Sequence, residues 1–175
     1  MQALAFWKAV TMDKSNFLEE LISALEENRI RYCVIGGQGV NAYAEPLVSL
    51  DLDIVIAVNQ MEAARNLLSG RFSVKQFPNS LNIAAPGSGL RVRIQTDPRY
   101  VSFVDRAGKL DVLGVELPVA ALEDILQGKV WAASDARPLP SKRRKDILDI
   151  ERILEVRPEL WTHVPTEILA RLDQP

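Results

Sequence analysis

The stretch Tyr32-Cys-Val-Ile-Gly-Gly-Gln-Gly-Val-Asn-Ala-Tyr-Ala-Glu-Pro-Leu-Val-Ser-Leu-Asp-Leu-Asp-Ile54 decides how this chain folds. Arg31–Ile35 is short, β-branched and aromatic and stops at Gly36-Gly37, the profile of a buried strand entering a turn. The turn Gly36-Gly37-Gln38-Gly39 has no Cβ at three positions, so its backbone can come close to a phosphate. Val40–Ala44 fits one or two helical turns before Pro46, and the first amides of such a helix face an anion well. Asp51-Leu-Asp-Ile-Val-Ile-Ala-Val58 reads as a strand whose far end is buried on both faces. Side chains alternate along a strand, so Asp51 and Asp53 point the same way. Two carboxylates so placed repel one another unless a cation lies between them, and an all-oxygen set suits Mg²⁺.

Taken singly, the glycines can be a plain tight turn and Asp-x-Asp a solvated strand end. It is the order strand, Gly-Gly, helix, Asp-x-Asp, strand that points to a phosphate site. Two other glycine-turn sites are excluded. Ala42 stands where the third glycine of Gly-x-Gly-x-x-Gly belongs, and no Gly-Lys-Ser/Thr follows the turn.

Upstream, Asn16 and Glu19 form a capping box ahead of Phe17, Leu18, Leu21, Ile22 and Leu25, which predicts a helix over 16–27. Downstream, the patterns predict a helix over 61–68, strands over 72–76, 81–85 and 90–95, and a helix over 100–107. One or two short strands around Gly114 follow, then helices over 119–127, 141–156 and 165–172. The chain therefore divides into an α/β core, 1–117, and a helical part, 118–175, packed on it as a single compact unit. No internal repeat or low-complexity segment interrupts it.

The 175 residues are enough for one good core. With 47% hydrophobic and 25% charged residues the composition is that of a globular protein, and a net charge of −2 argues against non-specific coating of nucleic acid. Met1–Met12 is too short and too uncharged for an export signal, and no apolar run nears the length of a membrane span. A soluble, cytoplasmic protein with no membrane partner is expected. Cys33, the single cysteine, reads as a buried thiol. His163 has no second histidine or cysteine nearby and reads as structural or solvated, while Trp7, Trp131 and Trp161 read as packing residues.

Gly36–Ile54 resembles the signature of the nucleotidyltransferase superfamily: Gly-Gly or Gly-Ser, a dozen or so residues, then Asp-x-Asp. Lys129 with Trp131-Ala132, and Lys142-Arg-Arg-Lys145-Asp146-Ile-Leu-Asp149-Ile150, are similar to the C-terminal pattern of the AbiEii-type and related small nucleotidyltransferases, often the toxins of bacterial toxin–antitoxin pairs. The resemblance spans roughly residues 16–155. It implies an α+β fold of polymerase β type, a mixed twisted sheet flanked by helices with a C-terminal helical part. It implies that Asp51 and Asp53 are catalytic and hold one or two Mg²⁺ or Mn²⁺ ions on a nucleoside triphosphate (NTP). Gly36, Gly37 and Ser49 would contact its phosphates, and an acceptor hydroxyl on an RNA end or a protein would attack the α-phosphorus. A small helical antitoxin would be the partner. An antibiotic-modifying transferase of the same fold would use a small-molecule acceptor instead.

Wound at 100° per residue, Lys142, Lys145, Asp146 and Asp149 share one arc beside an apolar stripe of Ile147, Ile150 and Leu154, into which Arg143 projects. As a surface helix this gives a Lys145–Asp149 contact. In light of the resemblance, Lys129, Arg143 and Lys145 line the cleft and Asp146 and Asp149 orient them. The chain departs from the superfamily pattern in two places. The third carboxylate expected on the strand 90–95 falls at Arg93, with Gln95 the other inward-facing residue and Asp97 just beyond; Leu47 stands where relatives commonly have arginine. Arg93 cannot act as a base and competes with a metal for Asp51 and Asp53. A regulator that binds a nucleotide or a partner without transfer is the alternative.

Overall fold

The computed structural model describes residues 2–112, 114–137 and 139–172. The elements run α1 Gln2–Thr11, α2 Phe17–Glu27, β1 Tyr32–Ile35, α3 Gly36–Asn41, β2 Asp51–Ile56, α4 Met61–Ser69, β3 Ser73–Phe77, β4 Ser80–Ala84 and β5 Arg91–Gln95. Then come β6 Gly108–Val112, β7 Val115–Val119, α5 Leu122–Ser134, α6 Pro140–Val156 and α7 Thr166–Leu169. Among the described residues the strands form one seven-stranded sheet in the order β3-β4-β5-β2-β1-β7-β6. β2 with β5 and β1 with β7 are parallel and the other pairs antiparallel, so the sheet is mixed.

The central strands are continuous apolar runs because both of their faces are covered. Every residue of β1 is buried, as are Leu52, Ile54, Val55 and Ile56 of β2. Cys33 is fully buried at the middle of the sheet, and burial pushes its thiol up to about 12. One hydrophobic cluster joins the sheet to α2, α5 and α6 and reaches Ile168 and Leu172.

Several local expectations shift. α2 is not capped by an Asn16–Glu19 box. Asn16 sits in the left-handed region at φ 55 and makes no side-chain cap. Asp13, three residues earlier, accepts from the amides of Phe17 at 3.1 Å and Leu18 at 3.3 Å. Burial raises the Asp13 pKa, but these amides and the Ser15 hydroxyl outweigh it and hold the carboxyl below its usual range. α1, which the sequence did not announce, precedes that cap; the Trp7 side chain lies outside the described residues. Gly36 and Gly37 are not a turn ahead of a helix but the first residues of α3. The segment expected as a helix over 100–107 is a 3₁₀ helix, Pro98–Arg106, capped by Asp97 accepting from the Arg99 amide at 3.0 Å. Val119 closes β7 rather than opening a helix, and α7 is shorter than expected, ending at Leu169 with Ala170 as its C-cap; a 3₁₀ turn, Pro158–His163, precedes it.

Candidate functional site

In the parallel ladder between β2 and β5, Asp51 lies opposite Arg91 and Asp53 opposite Arg93. Equal register on a shared face puts each guanidinium on its own carboxylate. Arg91 Nε donates to Asp51 Oδ1 at 2.7 Å and Arg93 Nε to Asp53 Oδ1 at 2.8 Å. The cation that two like charges require is therefore supplied twice by the chain. The Asp53 charge, against the opposing pull of burial, holds the Arg93 pKa above its ordinary value. Arg91 is the residue the sequence reading missed, although the alternation Arg-Val-Arg in β5 places it on the same face as Arg93.

The free oxygen of Asp53 rests on Gly36. Gly36 has φ +65, and a Cβ there would stand 2.4 Å from Asp53 Oδ2. Only glycine satisfies both the left-handed backbone and the contact. Gly37 is different: a Cβ there meets nothing within 4 Å. Ser49 turns toward its own chain, its hydroxyl accepting from the Asp51 amide at 3.2 Å and its carbonyl from Gln38 Nε2 at 3.2 Å.

α5 and α6 bring a second set of charges. Lys129 is buried, with its ammonium 2.9 Å from Asp146 Oδ1 and 2.7 Å from Asp149 Oδ2. Burial lowers the Lys129 pKa, but the two carboxylates more than offset this and hold it above the ordinary value, so the residue is a fixed cation. The other oxygen of Asp149 accepts from Arg152 Nη1 at 2.8 Å. Arg152 also donates to Asn41 Oδ1 at 2.8 Å and to the Glu45 carbonyl. Asn41 in turn holds the Leu47 backbone through 2.7 and 3.0 Å bonds. A buried chain of polar contacts thus runs from Lys129 to the loop that delivers Ser49 and Asp51.

These elements enclose a cleft with two lobes. Asp53, Arg93, Lys129, Lys142 and Asp146 border both. The first lobe, about 180 Å³, is walled by Tyr100, Phe103 and Trp131, with Arg99 stacked 4.8 Å over the Trp131 ring. Tyr100 and Phe103 pack edge-on, and Phe103 lies parallel to Trp131 at 6.0 Å. Trp131 is thus both a packing residue and part of this wall. Gln95 and Asp97 border the lobe too. Arg99 grips Asp97 and draws its carboxyl below the usual range. The second lobe, about 500 Å³, carries five cations, Arg91, Arg93, Lys129, Lys142 and Lys145, against the carboxylates Asp51, Asp53 and Asp146.

The structure separates some expected neighbours. Arg143 borders neither lobe and donates to the Ala136 carbonyl at 2.9 Å. Asp149 turns inward to Lys129 and Arg152, not outward to Lys145. Lys142, which the family pattern did not single out for the cleft, borders both lobes. Leu47 is exposed, as is Trp161, which does not pack as expected. His163 pairs only with the neighbouring Thr162 hydroxyl at 3.5 Å among the described residues.

The donor set does not fit a divalent cation as it stands. Both carboxylates on β2 already accept guanidinium, the third position is Arg93, and among the described residues no three His, Cys, Asp or Glu side chains gather to hold a metal. No helix of the described residues is long and apolar enough to cross a membrane.

No protein-family model and no curated protein sequence matches the chain. Solved structures do. The chain is similar to the antibiotic-resistance factor ANT(2'')-Ia at TM-score 0.58 and 12% identity, over 87% of this chain and 94% of that one. It is similar to the lincosamide antibiotic adenylyltransferase LnuA at TM-score 0.53 and 16% identity, over 80% and 98%. An antigenic nucleotidyltransferase-like protein from Paracoccidioides brasiliensis matches at TM-score 0.51 and 19% identity, over 86% and 82%. With the glycine helix set against Asp-x-Asp on a mixed, helix-flanked sheet, this likeness establishes that the chain has the nucleotidyltransferase fold.

Proposed function

We propose that the chain binds an NTP in this cleft and moves its nucleoside monophosphate onto an acceptor hydroxyl. The observation that carries the reading is Asp53 seated on Gly36, which marries the glycine helix to the acidic strand at a contact no other residue permits. The triphosphate lies along the cationic second lobe, and the acceptor enters the first, where Tyr100 and Trp131 offer apolar faces and Asp97 an ionised carboxylate. The acceptor oxygen attacks the α-phosphorus, its hydroxyl proton passes to solvent water, and the bond to pyrophosphate breaks. Lys129, fixed as a cation at the junction of the lobes, is placed to stabilise the charge that develops.

The likeness in fold to an antibiotic-resistance factor and a lincosamide antibiotic adenylyltransferase supports a small-molecule acceptor, while the α5–α6 pattern that resembles AbiEii-type proteins supports an RNA or protein acceptor and a small helical partner. Arg93 favours a second reading, nucleotide binding without transfer. Incubation with α-labelled NTPs, in Mg²⁺, Mn²⁺ or EDTA, against tRNA, bulk protein, aminoglycosides and lincosamides, tests the proposal. Label transfer lost in Asp51→Asn/Asp53→Asn establishes the transferase and its acceptor class; binding with no transfer to any acceptor establishes the second reading.

A further inference from the structure

We propose that the second lobe grips the phosphate chain of an NTP without a divalent cation, the arginines and lysines of this chain standing in its place. The inference rests on the nucleotide-binding half of the function proposed above.

Charge and pairing carry it. Asp51 and Asp53 are each neutralised by the arginine opposite them on β5, so the pair presents no net negative charge to a metal ion. Around them the lobe holds five cations to three carboxylates, an excess of two positive charges. A divalent cation meets repulsion there and must strip two guanidiniums; a polyphosphate meets attraction. Among the described residues no ion pair or hydrogen bond engages the Lys142 or Lys145 ammonium, and Arg91 is 69% exposed on its side chain. Both lysines are therefore free to turn onto phosphate oxygens, and the mostly exposed Arg91 reaches them by giving up its bond to Asp51. Guanidinium is a planar fork that matches phosphate as well as carboxylate, so Arg91 and Arg93 can exchange one for the other. On this view Asp51 and Asp53 are positioning residues that hold the guanidiniums ready, and Lys129, fixed by Asp146 and Asp149, is the permanent cation at the back.

This reverses the sign of a familiar mutation. In a metal site, Asp51→Asn/Asp53→Asn abolishes nucleotide binding. Here it releases two arginines and tightens binding.

Isothermal titration of the full chain with inorganic triphosphate and with ATP, each in EDTA and in Mg²⁺ at low ionic strength, tests the proposal. We expect binding in EDTA at least as tight as in Mg²⁺. Asp51→Asn/Asp53→Asn should gain several-fold in EDTA, and Lys142→Ala/Lys145→Ala should lose about a hundredfold, each charge-assisted contact being worth about tenfold. Binding that requires Mg²⁺, or a loss on Asp→Asn in EDTA with the melting temperature unchanged, overturns the inference and leaves the proposed function standing. No binding under either condition overturns the nucleotide reading itself. Should the aspartate variant not fold, the comparison of EDTA with Mg²⁺ on the unaltered chain decides alone.

Discussion

Lys129 and Arg93 are both cations held by aspartates and bordering one cleft, yet they sit in unlike surroundings. The Lys129 cluster is buried, with Asp146, Asp149 and Arg152 all less than a tenth exposed. Arg93 and Arg91 keep 39% and 69% of their side chains in solvent. Taking four charges out of water is costly and is tolerated only when all stay paired, so the buried cluster has one arrangement. An exposed pair such as Arg91–Asp51 is worth little and exchanges readily, while Arg93–Asp53, its carboxylate only 13% exposed, lies between the two. The chain uses the first kind to fix a frame and the second kind where a ligand has to displace something.

The comparison breaks most visibly at Lys129. Lys129→Met leaves Asp146 and Asp149 without their shared cation and should cost about 3–5 kcal/mol in urea unfolding. A cost below about 1 kcal/mol would put this cluster in the same class as the exposed pairs.

Next comes the seam between the clusters. Gly36→Ala drives a Cβ to 2.4 Å from Asp53 Oδ2 at a positive φ and should cost about 1–3 kcal/mol, with Asp53 displaced. Gly37→Ala is the internal control: nothing lies within 4 Å, and alanine in a helix should gain about 0.5–1 kcal/mol. Melting curves of the two variants should move in opposite directions.

Asp13 sharpens the comparison with a lone buried carboxylate satisfied by amides. Asp13→Ala should cost about 1 kcal/mol. Its folded pKa is depressed below 3.8, so its contribution is present above that value and is lost as pH falls through the lower folded one. Melts of the unaltered chain and Asp13→Ala should therefore converge in strong acid. Smallest of all, Arg91→Ala removes a pair with a mostly exposed guanidinium and should change stability by less than about 1 kcal/mol at neutral pH.

The heart of this fold was legible because its signals are local. Strand alternation alone put Asp51 and Asp53 on one face, and the apolar runs of β1 and β2 named the two central strands. What escaped depends on geometry across the chain. The α2 cap was read from the nearest Asn-x-x-Glu, whereas the backbone turns at Ser15–Asn16 and lets Asp13 reach the first two amides of the helix, Phe17 and Leu18. Helix phase placed Lys142 and Arg143 correctly relative to one another, yet which borders the cleft is set by how α6 rolls on α5, a long-range contact. The partner of each aspartate followed from the β2–β5 register, which joins residues 40 apart. Arg152, whose contacts tie α6 to the loop before Ser49, reads in sequence as one more surface charge.

Cys33 gives the sheet a clock. It is the chain's one cysteine, wholly enclosed on β1 between β2 and β7, with its thiol pushed up to about 12. A thiol reagent can reach it only when the centre of the sheet parts, and an enclosed thiol at neutral pH offers almost no thiolate. Its rate of alkylation therefore counts openings of the sheet's middle and ignores motion at the rim. Any molecule that closes the cleft over β1 and β2 should slow that count, which makes the unmodified chain its own assay for ligands.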